Sequence, residues 1–176
     1  MEKYMNKKER KSFFVETGND TNKALRTRKL RVKVYARVST EHESQINALK
    51  NQLEWYNSQI YDNWEFNPDT DIYVDEGITG TLAKKRDSFM RMINDAKRDN
   101  FDIIITREVS RFARNVEETF RYTRELMEQG VGVFFINDNI WSFSNSVDGI
   151  LKLSMMASLA QGESKKTSER ALAGQR

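Results

Sequence analysis

The sequence predicts an α/β fold: a mostly parallel sheet of four or five strands, helices on both faces and a long C-terminal helix. Short apolar runs rich in β-branched residues alternate with segments whose apolar residues recur at helical spacing. The last helical segment, within 146–172, is much longer than the others. This alternation favours a parallel sheet, because parallel neighbours need a crossover connection that is usually a helix.

The elements are predicted in order along the chain. Strands are expected at 31–38, 71–75, 101–105 and 131–136. After the first strand, apolar residues recur at helical spacing at Ile46, Leu49, Leu53, Tyr56 and Ile60.

Capping residues mark two further helices. Asp87 is expected to cap a helix that carries Phe89, Ile93 and Ala96. Asn115 followed by Glu118 predicts a capping box at the start of the next helix, which Gly130 is expected to end.

Length and composition limit the classes of protein. A chain of 176 residues is long enough for one domain with a substantial core. The sequence has no cysteine, which excludes disulfides and cysteine-ligated zinc and fits a reducing cytoplasm. No membrane-spanning apolar run or signal peptide is expected. No phosphate-binding glycine motif occurs, which argues against a nucleotide site.

Charge is distributed unevenly. Residues 1–33 contain 11 Lys or Arg and 4 Asp or Glu, whereas the remainder carries more acidic than basic residues. Any nucleic-acid contact by the main domain must therefore be local, while the basic arm could add non-specific attraction to phosphates. The expected division is a basic, disordered lead at 1–30, the main α/β domain at 31–145, and a long helix with the start of a linker at 146–176.

The end of the first strand is the first candidate site. Arg37 and Ser39 leave the same face of the strand, because side chains alternate across it. A hydroxyl beside a fixed cation suits attack on a phosphate. Sites in parallel sheets lie beyond the carboxyl ends of the strands, so Ser39, Asp75 and the segment 107–114 are expected to converge.

Arg107, Arg111 and Arg114 are spaced so that a helix would place them on one face. Guanidinium groups stay charged and bind phosphate oxygens in a bidentate manner, which suits phosphoryl transfer. An exposed basic helix face is the alternative. His42, the single histidine, suggests a serine hydrolase, but its polar surroundings favour an exposed residue, so the general base stays open.

The segment 146–160 is apolar on nearly all sides of a helix, which requires burial on several sides. A partner chain could cover the side that the sheet does not cover. A single long core helix is the alternative.

Four blocks in this order resemble the catalytic domain of serine site-specific recombinases, the resolvase and invertase family. They are Tyr-Ala-Arg-Val-Ser-Thr at 35–40, Val-Asp-Glu-Gly-Ile-Thr-Gly at 74–80, Ser-Arg-Phe-Ala-Arg-Asn at 110–115 and Phe-Ile-Asn-Asp at 135–138. The third block is most similar to the large serine recombinases of phages and conjugative transposons. Ser110 stands where smaller resolvases usually carry Asp, so no carboxylate is available at this position.

The resemblance implies a role for each matching residue. Ser39 would attack a DNA phosphodiester and form a 5′-phosphoseryl link. Four arginines would bind the scissile phosphate, namely Arg37, Arg86, Arg111 and Arg114. The supporting residues would be Asp75, Gln52 and Glu163, and the far end of the long helix would cross DNA with Lys165, Lys166 and Arg170. Arg107 has no dependable counterpart.

The resemblance also implies partners. DNA is the expected partner, with a homodimer and, in the active synaptic complex, a tetramer. No cofactor, metal, membrane or small-molecule substrate is expected. The location would be cytoplasmic, at the nucleoid when bound to DNA, and the C-terminal DNA-binding domains of large recombinases are expected to be absent. A catalytically silent assembly module and a serine hydrolase are the alternatives.

Overall fold

The computed structural model describes residues 4–17, 28–38, 43–44, 46–48, 50–51, 64–67, 69–76, 86–98, 100–143 and 147–173. The strands are β1 (Leu30–Val38), β2 (Trp64–Glu65), β3 (Ile72–Glu76), β4 (Ile103–Thr106), β5 (Gly132–Phe135) and β6 (Ile140–Trp141). The helices are α1 (Lys7–Thr17), α2 (Asp87–Ala96), α3 (Val109–Phe112), α4 (Val116–Glu128) and α5 (Val147–Ala173). The described residues within 43–51 are also helical.

The sheet is mostly parallel, as the sequence predicts. β1 pairs in parallel with β2, β3 and β4, and β4 pairs in parallel with β5. Only β6 is antiparallel among the strands that the structure describes, and it pairs with β5. The sheet has six strands rather than four or five. The additional strands, β2 and β6, have two residues each, so they are too short to produce a periodic pattern.

Helices cover both faces of the sheet. Alternate residues of β1, such as Val34 and Tyr35, belong to two separate buried clusters. The Val34 cluster contains Phe14 of α1, and Ile46 packs against it. The Tyr35 cluster contains residues of α2, α3, α4 and α5. This arrangement leaves the carboxyl ends of the parallel strands as the edge on which a site can form.

The N-terminal lead differs from the expectation of disorder over the part that the structure describes. Residues Lys7–Thr17 form α1, and Phe14 is fully buried against Trp141 and Phe143. Arg10 is also fully buried, and its guanidinium is 3.2 Å from the carboxylate of Asp102. Composition alone suggested a solvated tail, because a few apolar residues that become buried do not change the average charge of a basic segment.

Two of the predicted helix ends have the expected geometry. The Asn115 side chain accepts a hydrogen bond from the Glu118 N–H at 2.8 Å, and Gly130 follows α4 with a φ of 72°. The Glu118 carboxylate, however, accepts from the Arg114 N–H rather than from Asn115. Asp87 begins α2 but does not cap it, since the preceding residue, Arg86, occupies the cap position.

Helix α5 is buried on one side. Leu153 and Ala157 lie in the core, and Met156 packs against it. The opposite side exposes large apolar residues: Val147, Ile150, Leu151, Met155 and Leu159. No helix in the described part of the chain is long and apolar enough to cross a membrane. The boundaries of the catalytic domain and the long helix stay predictions.

Candidate phosphate-binding site

The site lies at the carboxyl end of β1. Ser39, the predicted nucleophile, is the residue after Val38, at which β1 ends, and it lies outside the described residues. Gln52 and His42 also lie outside them. The position of the site is therefore defined here by the arginines and their supporting residues.

Strand register brings two predicted residues side by side. β1 and β3 run parallel, with Arg37 opposite Asp75. Arg37 is half-buried and Asp75 is buried. Both residues lie close to the carboxyl ends of their strands, which is the edge that the sequence indicated for the site.

Asp75 organises the start of α2. Its carboxylate accepts hydrogen bonds from the backbone N–H groups of Ser88 and Phe89, both at 3.0 Å. It also accepts from the Tyr35 hydroxyl at 3.1 Å. A carboxylate at a helix N-terminus satisfies N–H groups that have no partner within the helix and interacts favourably with the helix dipole. Asp75, on β3, therefore caps the start of α2, which is the role that the sequence predicted for Asp87. This contact also holds Arg86, the residue before α2, beside β1.

Arg86 is held on several sides. Its guanidinium donates to the Phe112 carbonyl and lies within 3.4 Å of the Tyr35 hydroxyl. It lies over the Phe89 ring at 3.6 Å from the centroid and pairs with Glu118 at 3.3 Å. A guanidinium held in this way loses little conformational freedom when it binds an anion.

The loop after β4 carries the remaining arginines. Phe112 and Ala113 are buried and anchor the loop, while Arg111 is exposed and Arg114 half-buried. The predicted shared helical face of Arg107, Arg111 and Arg114 is wrong, because α3 has only four residues. Arg107 lies before α3 and Arg114 lies after it.

Arg37 connects β1 to this loop. Its guanidinium donates to the backbone carbonyl of Ser110. Burial lowers the pKa of Arg37 below its usual value, and the nearby cations lower it further: Arg86, Arg111 and Arg114. Tyr35 acts in the opposite direction. The structure thus brings together four of the arginines that the sequence singled out.

The charge of this cluster is only partly compensated. Within the described residues, no carboxylate forms a salt bridge with Arg37 or Arg111, while Glu118 pairs with Arg86. Concentrated positive charge of this kind attracts a phosphate and stabilises charge that develops on its oxygens. Arg107 and Arg111 also line a small pocket with Arg37 and Thr106. The buried Thr106 hydroxyl has no hydrogen-bond partner among the residues that the structure describes.

Sequence reasoning missed the roles of two residues that support the site. Tyr35 bridges Asp75 and Arg86, and burial raises the pKa of its hydroxyl to about 12. Glu118 was interpreted only as part of a helix cap. Both lie in segments that were already singled out, but their roles depend on distant partners: Asp75 is 40 residues from Tyr35, and Glu118 is 32 residues from Arg86.

The other predicted residues lie on α5. Lys165 and Lys166 are exposed in the C-terminal part of this helix. Glu163 and Arg170 belong to the same helix, but their side chains lie outside the described residues. The described residues contain no group of three or more acidic or histidine side chains that could hold a metal ion.

The mostly parallel sheet makes this structure an α/β domain, and its cluster of arginines lies at the carboxyl ends of the strands, where such domains bind their ligands. The family model described as Resolvase, N terminal domain, matches residues 32–176. The chain belongs to the resolvase family, and its fold is that of a serine recombinase catalytic domain.

Two solved structures illustrate the similarity. The first is a resolvase family site-specific recombinase from Streptococcus pneumoniae, with 26% identity and a TM-score of 0.57 over 83% of this chain and 95% of that one. The second is the N-terminal catalytic domain of TP901-1 integrase, with 24% identity and a TM-score of 0.53 over 77% of this chain and 97% of that one. Comparison with curated proteins gives no match. Helix α1 precedes the segment that the family model matches.

Proposed function

We propose that the chain is the catalytic domain of a DNA site-specific recombinase that cleaves and rejoins DNA by transesterification. The observation that carries the proposal is the cluster of four arginines at the carboxyl end of β1. A scissile phosphodiester is anionic and spreads further charge over its oxygens in the transition state. Fixed guanidinium groups are suited to bind this centre and to lower the barrier.

Ser39 is the proposed nucleophile, because it follows β1 directly and lies two residues after Arg37. Its hydroxyl loses a proton and its oxygen forms a bond to phosphorus. The bond from phosphorus to the 3′ oxygen breaks, and that oxygen gains a proton. The products are a 5′-phosphoseryl link and a free 3′-hydroxyl. Attack by the 3′-hydroxyl of another strand reverses the step. Because the covalent link conserves the energy of the phosphodiester bond, rejoining needs no cofactor.

The other residues have supporting roles in this proposal. Arg37, Arg86, Arg111 and Arg114 bind the phosphate oxygens. Asp75 acts through the start of α2 and Tyr35, which support Arg86. Gln52 and Glu163 complete the site in keeping with the resemblance.

We further propose that α5 joins two copies of the chain. Its exposed apolar side lies opposite the side that packs on the core, so a second copy can cover it. The exposed Lys165 and Lys166, together with Arg170, would then cross DNA, and two dimers would form the active tetramer. The protein would work on DNA in the cytoplasm and associate with the nucleoid there.

Substitution of a charge on the exposed side of α5 tests the dimer. Met155 is 55% exposed, so Met155→Lys should weaken self-association by at least about tenfold, since it places a charge in an apolar interface. Met90→Lys is the matched control, because Met90 is a 43% exposed methionine on α2. Sedimentation at increasing concentration measures the effect, and a strictly monomeric wild type would contradict the proposal.

A covalent protein–DNA adduct tests the chemistry. Nicked duplexes prepared from random genomic fragments should accumulate a denaturant-resistant adduct with the wild-type protein. Ser39→Ala should abolish the adduct and leave DNA binding nearly intact, while Ser12→Ala, at an exposed serine of α1, should react as the wild type does. An adduct that persists in Ser39→Ala excludes Ser39 as the nucleophile. Binding without any adduct would instead support a silent module, and ester hydrolysis without an adduct would support a hydrolase.

A further inference from the structure

A notch opens where β1 and β4 part near their carboxyl ends. The pairing of β1 with β4 ends at Val34 and Ile105, whereas its pairing with β3 continues as far as Val38. The notch is lined by residues 35–38 of β1 together with Thr106, Arg107 and Arg111. Its central space has a volume of about 10 Å³, which is close to the room that one water-sized atom needs. The notch therefore has the size of a single oxygen atom rather than of a whole ligand.

Thr106 supplies the notch with a hydrogen-bond donor. It is the last residue of β4 and is fully buried. Its hydroxyl has no hydrogen-bond partner among the residues that the structure describes. A buried hydroxyl without a partner costs free energy, and a valine of the same shape would avoid this cost. A ligand atom that enters the notch accounts for a threonine at this position.

The charge around the notch indicates which kind of atom enters. The register of β1 and β4, continued by one residue, places Tyr35 beside Thr106. Because side chains alternate along a strand, Arg37 lies on the same face of the sheet as Thr106. Arg111 lines the notch from the loop, and the described residues of the lining include no carboxylate. An oxygen that belongs to an anion suits both the arginines and the hydroxyl.

We propose that the notch receives one non-bridging oxygen of a phosphate and that Thr106 binds this oxygen by donating its hydroxyl hydrogen. The inference rests on the proposed function, since the phosphate is that of the DNA backbone, and it adds an uncharged donor to the four arginines. The guanidinium groups attract the anion by charge, whereas the buried hydroxyl selects which of the two non-bridging oxygens points into the sheet. A hydrogen bond in such a low-dielectric setting is stronger than one in water.

Binding of inorganic phosphate tests the notch without any DNA. Thr106→Val keeps the shape of the side chain and removes the hydroxyl. It should lower the affinity for phosphate by about tenfold, the lower end of the contribution of a hydrogen bond to a charged group. Thr106→Ser keeps the hydroxyl and should retain most of the affinity. Isothermal titration calorimetry measures each protein at constant ionic strength, because salt screens the attraction between arginine and phosphate.

Thr123→Val is the matched control. Thr123 is a buried threonine of α4 whose hydroxyl donates to the Thr119 carbonyl at 2.7 Å. This variant should bind phosphate as the wild type does. Without phosphate, Thr106→Val should resist urea at least as well as the wild type, because valine leaves no polar group unpartnered. A loss of phosphate binding in Thr106→Val is then not a loss of folding.

Cleavage of DNA adds a readout that a purely structural role would not change. The nicked duplex that the wild type captures is sequenced and synthesised again with sulfur in place of one or the other non-bridging oxygen of the scissile phosphate. Sulfur is larger than oxygen and a weaker acceptor, so the wild type should cleave one stereoisomer at least about tenfold more slowly than the other. Thr106→Val should slow the faster isomer by about tenfold and leave the slower one nearly unchanged.

The outcomes separate the inference from the proposed function. Equal phosphate affinity in Thr106→Val and Thr123→Val overturns the inference, and this is also the result expected if only water enters the notch. A wild type that binds no phosphate overturns it as well. If the wild type binds phosphate through Thr106 but forms no adduct with DNA, the notch is supported and the transesterification proposal fails. If the adduct forms and Thr106→Val keeps the wild-type ratio between the two isomers, Thr106 does not contact the reacting phosphate and the inference is wrong.

Discussion

Arginines lie at both ends of the sheet, but their charge is balanced at one end and left available at the other. At the amino ends of β1 and β4, Arg10 and Arg31 share one carboxylate, that of Asp102, at 3.2 and 2.7 Å. At the carboxyl ends, Arg37 is held by a neutral carbonyl, that of Ser110. The side chains of Arg10 and Asp102 are at most 2% exposed, so a counterion is required there.

This difference shows that burial alone does not identify a functional arginine. A guanidinium bound to a buried carboxylate contributes to the fold, because its charge is already neutralised. A guanidinium held by carbonyls and aromatic rings keeps its positive potential for a ligand. Arg86 is intermediate, because it has both kinds of contact: it pairs with Glu118 and lies over the Phe89 ring.

The amino-end cluster should respond to mutation mainly in stability. Asp102→Asn leaves Arg10 buried without its full counterion and should lower the free energy of unfolding by about 3–5 kcal/mol. Asp69→Asn is the matched control, because the Asp69 side chain is 85% exposed. Urea denaturation followed by circular dichroism measures both. If the two variants unfold alike, the buried ion pair does not support the fold.

Tyr35 offers a smaller effect with a defined pH dependence. Burial raises its pKa to about 12, so between the ordinary tyrosine value and about 12 the folded state binds more protons than the unfolded state. The free energy of unfolding should therefore fall as pH rises through this window, by about 2–3 kcal/mol at most. Tyr35→Phe removes this contribution.

Comparison of the wild type with Tyr35→Phe isolates the tyrosine from other groups. Tyr73, whose pKa is also raised by burial, is present in both proteins. Near neutral pH the variant should lose about 1 kcal/mol, since the hydrogen bond to Asp75 is lost. Equal alkaline loss in the two proteins would contradict the assignment.

The sequence predicted the elements that have a strong local signal. Every predicted strand is present, because each is a run of β-branched or aromatic residues in a buried sheet. The Asn115 cap and the turn at Gly130 were also correct, since each depends on residues within a few positions. Strands β2 and β6 and the packing of α1 were missed, because they depend on tertiary contacts.

The candidate site, like the fold, was predictable only where the signal is local in the sequence. The arginines could be singled out because they lie at strand ends or in a distinctive block of residues. Asp75 could also be singled out, but Tyr35 and Glu118 could not be recognised as supports of the site, because they contact Asp75 and Arg86 across 40 and 32 residues of sequence.

The central claim, that the arginines at the carboxyl end of β1 act on the phosphate during reaction, is tested most directly at Arg111. Its guanidinium has no salt bridge within the described residues, whereas Arg107 is an exposed arginine of the same loop and serves as the matched control. The measurement is single-turnover cleavage of a nicked substrate, together with the affinity for the same DNA.

Arg111→Ala should cut the cleavage rate by about 10²–10³, the usual cost of losing one preorganised charge donor, with little change in affinity. Arg107→Ala should cost clearly less, and Arg111→Lys should recover only part of the rate, because an ammonium lacks the bidentate fork. An intact cleavage rate in Arg111→Ala, with weaker binding and a shallower salt dependence, would make Arg111 a backbone contact and contradict the account.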